Sequence, residues 1–154
     1  MADADGKVAT ARATLDDIHE LVPLFDAYRV FYKQPSDAAA ARRFVEARLR
    51  DGDGSAFYVA RRDGLTVGFT RMWRVHSSIA MRPAWILEDL YVLPAARRGG
   101  VAQALMDRCE RHARDDGAAY IALETAVDNG SAQGLYESIG YEREKAFYKY
   151  NLVL

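Results

Sequence analysis

The stretch from Trp85 to Asp115 passes from a largely apolar segment, through a turn with two glycines, into a segment with the apolar spacing of an amphipathic helix. We predict a buried strand over residues 85–92, which Pro94 ends, and a helix over residues 100–115. A helix start leaves backbone N–H groups without partners and carries partial positive charge. The chain therefore has to contain a strand, a turn and a helix whose junction can hold an anion.

The turn from Arg97 to Ala102 is made of residue types that suit a phosphate. Two glycines and a small alanine allow the backbone to come close, and two arginines add positive charge. These residues are Arg97, Arg98, Gly99, Gly100, Val101 and Ala102. Neither GxGxxG nor the P-loop pattern is present. By itself the turn is equally compatible with a solvated basic loop.

The rest of the chain supplies further strands and helices. We predict strands at residues 8–13, 56–62, 65–75, 120–125 and 147–153, helices capped by Thr14 and Ser36, a loop at residues 76–84 and a last helix at 129–139. This order indicates an α/β (α+β) fold, in which about six to seven strands form a mixed central sheet flanked by about four helices.

Length and composition limit the classes of protein. The chain has 154 residues, which predicts one domain, and residues 1–6 read as a flexible tail. With a formal net charge of -1, the chain lacks the excess of positive charge that is typical of proteins that bind nucleic acid or an anionic membrane. No apolar run is long enough to span a bilayer, and no secretory signal is visible, so we expect a cytoplasmic protein. The histidines show no zinc-ligand spacing, so no metal is implied.

Two motifs support one family resemblance. The pattern of Gln or Arg, two residues, Gly, any residue, then Gly or Ala is matched by Arg97, Gly100 and Ala102. The pattern NxxAxxLYxxxGF is matched by Asn129, Ala132, Leu135, Tyr136, Gly140 and Tyr141. In this order and spacing the chain resembles the GNAT superfamily of acetyl-CoA-dependent N-acetyltransferases, over nearly its whole length.

The resemblance implies roles for these residues. The turn would hold the pyrophosphate of acetyl-CoA, Asn129 would contact the pantetheine arm, and Tyr136 would protonate the departing thiolate. Backbone N–H groups in Leu90, Tyr91 and Val92 would polarise the thioester carbonyl. Many GNAT proteins form dimers, so a homodimer is a possible assembly of this chain.

An amine acceptor arrives charged and must lose a proton, so a carboxylate near it can act as base. Glu88 and Asp89 lie in the predicted strand, and alternation predicts that they point to opposite faces. The string LEDLYV resembles the spermidine/spermine (polyamine) acetyltransferases and the glucosamine-phosphate acetyltransferases, which favours Glu88. Glu124 is the second choice.

The acceptor is predicted to be a primary amine of a small molecule, polyamine-like or an amino acid derivative, acetylated by direct attack in a ternary complex. Tyr28 and Tyr32 lie where GNAT proteins commonly cover the acceptor, although core packing explains them equally well. An amino-sugar phosphate and a protein N-terminus or lysine are the alternative acceptors. A noncatalytic acyl-CoA sensor is the alternative class, which the presence of both Tyr136 and Glu88 disfavours.

Overall fold

A computed structural model describes residues 6–154. The chain divides into two compact units, Met1–Leu123 and Glu124–Leu154. Apart from Gly6, the predicted tail at residues 1–6 lies outside the described residues. None of the helices in residues 6–154 combines the length and apolar character needed to span a bilayer.

The first unit is built on a five-stranded sheet with the strands in sequence order. The strands are β1 (Val8–Arg12), β2 (Ser55–Arg62), β3 (Leu65–Ser77), β4 (Arg82–Val92) and β5 (Ile121–Leu123). Strands β1 to β4 pair antiparallel, whereas β5 pairs parallel to β4. The predicted mixed α/β fold is confirmed, with five strands in the described residues in place of six or seven.

Two helices, α1 (Ile18–Phe31) and α2 (Ala38–Arg50), cover one face of this sheet. Their apolar side chains pack against those that β2, β3 and β4 turn toward them, which include Phe57, Val59, Phe69 and Tyr91. Full burial of a large apolar side chain contributes about 1.5–3 kcal/mol, so this layer is a main source of stability.

The chain enters α1 as predicted but enters α2 one residue later. Thr14 and Asp17 form the expected capping box, with one short 3₁₀ turn before α1. The predicted cap Ser36 is wrong, because Asp37 accepts the hydrogen bond from the Ala40 N–H at 2.9 Å. The Ser36 hydroxyl instead donates to Asp26 at 2.6 Å.

Helix α3 (Val101–Asp115) packs on the opposite face of the sheet. Its buried residues are Val101, Leu105, Met106, Cys109 and Ala113, which form the apolar side expected of an amphipathic helix. Gly68 in β3 permits this packing, because a Cβ there would lie 3.0 Å from the Tyr91 carbonyl oxygen and 3.1 Å from a Val101 methyl. The start of α3 therefore packs closely on β3 at Gly68, beside the end of β4.

The two hairpins of the sheet differ in how well their sequences predict them. Asp63 and Gly64 have φ values of 52° and 78°, as expected for the predicted tight turn. The predicted loop at residues 76–84 is too long, because β3 and β4 pair as far as Ser77 and Arg82. The residues at these two strand ends do not alternate between apolar and polar types, so the sequence gives no sign that their backbones pair.

The second unit contains α4 (Gly130–Ser138), for which Asn129 is the cap. The predicted strand at residues 147–153 is wrong, because these residues form no strand and are exposed. Their polar–apolar alternation is compatible with one exposed face, but a strand also needs a partner for its backbone, which alternation does not supply.

Candidate active site

A β-bulge places Glu88 in β4. Arg71 of β3 pairs with Asp89 and Met72 pairs with Leu87, so Glu88 is an extra residue without a Cα partner. A bulge interrupts strict alternation. The Glu88 side chain is exposed and accepts a hydrogen bond from the Trp73 indole N–H at 3.0 Å.

The prediction that Glu88 and Asp89 point to opposite faces is wrong. Asp89 pairs with Arg71 at 2.6 Å, and the Arg71 guanidinium lies over the ring of Phe44 in α2. Glu88 lines a cleft with the same Arg71 and Phe44, so both carboxylates lie on the α2 side of the sheet. The bulge is the reason, because Glu88 is its extra residue and the alternation of faces resumes only at Asp89.

The two carboxylates nevertheless have different surroundings. Asp89 is buried, which raises the pKa of its carboxyl, while the Arg71 guanidinium opposes that shift. Glu88 is exposed to the cleft. Glu88 is therefore the carboxylate that a bound molecule can reach, and Asp89 is held in an internal ion pair.

The cleft at Glu88 has a volume of about 340 Å³. Its other lining residues are Phe44, Arg48, Asp53, Ser55, Arg71 and Trp73. Both arginines are paired with carboxylates, Arg48 with Asp53 at 2.5 Å and Arg71 with Asp89. These residues were not predicted, because they come from α2, β2, β3 and the loop before β2, and no local pattern joins them to LEDLYV.

The sheet opens beside the end of β4. Strand β5 pairs only with Trp85–Leu87, whereas β4 continues to Val92. The Leu93 N–H donates to the Val67 carbonyl of β3 at 2.8 Å. Alternation along the strand then directs the Tyr91 amide toward β3, and the amides of Leu90 and Val92 toward the edge where β5 has ended.

The turn that follows β4 forms the start of α3. Gly100 has a left-handed φ of 76° and caps the helix, and its carbonyl accepts the first helical hydrogen bond, from the Ala104 N–H at 3.0 Å. The next three N–H groups, of Val101, Ala102 and Gln103, therefore have no helical acceptor. A Cβ at Gly100 would meet no atom within 4 Å, so the space beside it is open. This arrangement fits a pyrophosphate group.

The two arginines of the turn differ in their contacts. Arg97 donates from Nε to the Val92 carbonyl at 2.9 Å, and its guanidinium lies 5.6 Å from the ring centres of both Phe31 and Tyr91. Arg98 is exposed, with a left-handed φ of 63°. Arg97 is thus fixed against the end of β4, whereas Arg98 projects into solvent.

Tyr28 connects α1 to the bulge. Its hydroxyl donates to the Glu88 carbonyl at 3.4 Å, and its ring makes an edge contact with Tyr32 at 5.0 Å. Burial and the nearby Asp89 charge raise the pKa of Tyr28, so it stays protonated at physiological pH. Tyr32 is 44% exposed, which leaves much of its ring accessible.

The remaining predicted residues lie in the second unit. The Asn129 side chain accepts a hydrogen bond from the Ala132 N–H at 3.2 Å, as expected of a helix cap. Tyr136 in α4 is 9% exposed, and its ring lies 6.0 Å from that of Tyr141. Glu124 is ion-paired with Lys149 at 2.5 Å, and both side chains are largely exposed.

Comparison with known proteins agrees with this geometry. The model of the "Acetyltransferase (GNAT) family" matches residues 19–141. The uncharacterized N-acetyltransferase YhfO of Bacillus subtilis (strain 168) is 37% identical over 141 residues, which cover 92% of this chain and 94% of YhfO. A crystal structure of a probable acetyltransferase has a TM-score of 0.90 and 37% identity, covering 95% of this chain and 97% of that one.

A relative with a named acceptor is the aminoglycoside N(6')-acetyltransferase type 1 of Salmonella typhimurium (strain LT2). It is 29% identical over 115 residues, which cover 68% of this chain and 79% of that protein. The family match spans the Glu88 strand, the turn at residues 97–102 and both Asn129 and Tyr136. This chain therefore belongs to the GNAT family of N-acetyltransferases.

Proposed function

We propose that the protein transfers the acetyl group of acetyl-CoA to a primary amine of a small molecule, by direct attack in a ternary complex. The observation that carries this proposal is the order of groups along β4. An exposed carboxylate at Glu88 is followed by the outward amides of Leu90 and Val92, and then by the anion-binding turn at residues 97–102. The strand and the turn that follows it thus offer a base, carbonyl-polarising donors and a phosphate site in this order.

The turn is the proposed holder of the cofactor pyrophosphate. Acetyl-CoA supplies the acetyl group as a thioester. The N–H groups at the start of α3, the open space beside Gly100 and the charges of Arg97 and Arg98 suit its phosphates. Asn129 is proposed to contact the pantetheine arm in addition to capping α4.

Glu88 is the proposed base. An alkylamine has a pKa of about 10.4, so its ammonium form must give up a proton before its nitrogen can attack. The Glu88 carboxylate takes that proton, and the indole N–H of Trp73 holds one of its oxygens. The amine nitrogen then bonds to the thioester carbonyl carbon, whose oxygen is stabilised by the amides of Leu90 and Val92.

Tyr136 is the proposed acid. As the carbon–sulfur bond breaks, the sulfur leaves as a thiolate, and the Tyr136 hydroxyl supplies a proton to it. The nitrogen, which is positively charged after the attack, releases its extra proton to solvent, and solvent returns a proton to the tyrosine. Glu88 gives up its proton to solvent as well, so the free thiol, the acetylated amine and one released proton are the products. Glu124 remains the second-choice base, although its ion pair with Lys149 occupies it within its own unit.

The charges of the cleft favour a cationic acceptor. Both arginines that line it are neutralised by Asp53 and Asp89, which leaves Glu88 to attract an ammonium group. The ring of Trp73, which is 37% exposed, also suits a cation. This supports a polyamine-like or other amino-rich acceptor, including an aminoglycoside as named for the Salmonella relative. It favours these acceptors over an amino-sugar phosphate.

An amine panel tests the acceptor. Acetyl-CoA is mixed with the protein and with polyamines, amino acid amides, an aminoglycoside, glucosamine 6-phosphate and a lysine peptide, and acetylated products are identified by mass spectrometry. We expect the cationic amines without phosphate to be acetylated fastest. Preference for glucosamine 6-phosphate would contradict the charge argument.

Removal of the base should slow the reaction in a pH-dependent way. For Glu88→Gln we expect kcat/KM for the amine to fall by about 100-fold or more, since a positioned base contributes roughly 10²–10⁴-fold. The variant then depends on amine that is already neutral, so its pH optimum should move upward, toward the pKa of the amine itself. Rate against pH is measured for both proteins.

The matched control is Glu110→Gln, which removes an exposed carboxylate of α3 that pairs with Arg114. Its pH profile should equal that of the unchanged protein. An unaltered profile for Glu88→Gln would assign the proton to Glu124 or to water.

A further inference from the structure

Arg62, the last residue of β2, contacts the turn at residues 97–102. Its Nη2 donates to the Gly99 carbonyl at 2.7 Å. A Cβ added to Gly99 would overlap the Arg62 guanidinium, so the missing side chain makes room for the arginine. The Arg62 Nε is buried and has no hydrogen-bond partner among the described residues. The guanidinium is therefore packed against the turn and directed at one carbonyl.

That contact fixes the orientation of one peptide group. In a trans peptide the C=O and the following N–H point in opposite directions. Because Arg62 draws the Gly99 oxygen toward β2, the N–H of Gly100 points away from it. A peptide between two glycines meets little steric resistance to rotation. In the rotated form, the partial negative charge of the Gly99 oxygen would face the anion instead of the N–H.

We propose that Arg62 is a positioning residue for the cofactor pyrophosphate. It holds the Gly99–Gly100 peptide so that the turn presents the Gly100 N–H together with the free N–H groups of α3. This role rests on the proposed function, since it requires the turn to bind acetyl-CoA. It needs no direct contact between Arg62 and the cofactor.

The first test compares ligands that do and do not carry the pyrophosphate. For Arg62→Gln, calorimetry should show dissociation constants for CoA and for 3′-dephospho-CoA that both rise by about 10-fold or more, as expected for loss of a charged hydrogen bond. With acetyl-pantetheine, which lacks phosphates, kcat/KM for the best amine of the panel should be unchanged. Arg62→Lys should recover part of the affinity, because an ammonium can still donate to the Gly99 oxygen.

The matched control is Arg61→Gln, which removes the same charge one residue earlier. Arg61 pairs with Asp17 at 2.5 Å, away from the turn. Its CoA affinity should stay within a factor of two of the unchanged protein. An equal loss of CoA affinity in both variants would show that the effect comes from net charge alone, and it would overturn the proposal.

A second route uses Gly99. Gly99→Ala displaces the guanidinium and should weaken CoA binding as Arg62→Gln does, while the double variant should be no weaker than either single variant. Additive losses would show that the two residues act separately. Because Gly99→Ala leaves Arg62 in the chain, the CoA affinity of this single variant still tests the proposal if Arg62→Gln fails to fold, and unchanged affinity would overturn it.

The outcomes separate the alternatives. A loss for CoA without a loss for 3′-dephospho-CoA would show that Arg62 binds the 3′-phosphate directly, and an equal loss with acetyl-pantetheine would show a general structural role. Either result, or unchanged CoA affinity, overturns the proposal. Failure of the unchanged protein to bind CoA would instead contradict the proposed function.

Discussion

Gly100→Leu should abolish measurable binding of acetyl-CoA, raising its dissociation constant by about 100-fold or more. Two effects act together at this position. A side chain would fill the open space beside the free N–H groups of α3, and a φ of 76° strains any residue with a Cβ. Calorimetric titration with CoA measures the result.

The control for strain lies at the other end of the same helix. Gly117 follows α3 with a φ of 69°, and a Cβ there would also meet no atom within 4 Å. Gly117→Leu should therefore cost a similar free energy of unfolding and leave CoA affinity unchanged. Retained affinity in Gly100→Leu would refute the assignment of the turn.

Tyr136→Phe should lower kcat by about 100-fold or more with little change in the dissociation constant of CoA, because it removes the proposed acid and keeps the ring. Pre-steady-state or steady-state thiol release with the best amine gives kcat, and calorimetry gives the affinity. Tyr148→Phe is the matched control, since Tyr148 belongs to the same unit and is 91% exposed. A defect confined to CoA binding would contradict the acid assignment.

The sequence predicted well the parts of the fold that depend on neighbouring residues. The capping box at Thr14, the tight turn at Asp63 and Gly64, and the helix that begins after Gly100 all follow from backbone requirements within a few residues. The predicted succession of strand, turn and helix over residues 85–115 was confirmed for the same reason. Its apolar spacing and its glycines carry the information locally.

The sequence predicted poorly what depends on strand pairing. The opposite orientation of Glu88 and Asp89 assumed strict alternation, and the bulge opposite Arg71 and Met72 breaks it. A bulge is set by the register of two strands, which neither sequence shows by itself. The strand predicted at residues 147–153 was wrong for a similar reason, because alternation does not identify a pairing partner.

Distant contributors to the site were also missed. Trp73 hydrogen-bonds Glu88 from the neighbouring strand, and Arg62 hydrogen-bonds Gly99 across 37 residues of sequence. No spacing rule connects such pairs. A tryptophan within a predicted strand next to the LEDLYV strand, and an arginine beside the Asp63–Gly64 turn, are visible in the sequence only as ordinary strand residues.

In the proposed function, this chain joins an acetyl-CoA site to an amine-acetylating centre based on Glu88. The most direct measurement is the initial rate of thiol release from acetyl-CoA as the concentrations of acetyl-CoA and of the best amine are both varied. We predict amine-dependent release with intersecting double-reciprocal lines, as direct attack in a ternary complex requires. CoA binding without amine-dependent thiol release, for every amine in the panel, would contradict the account.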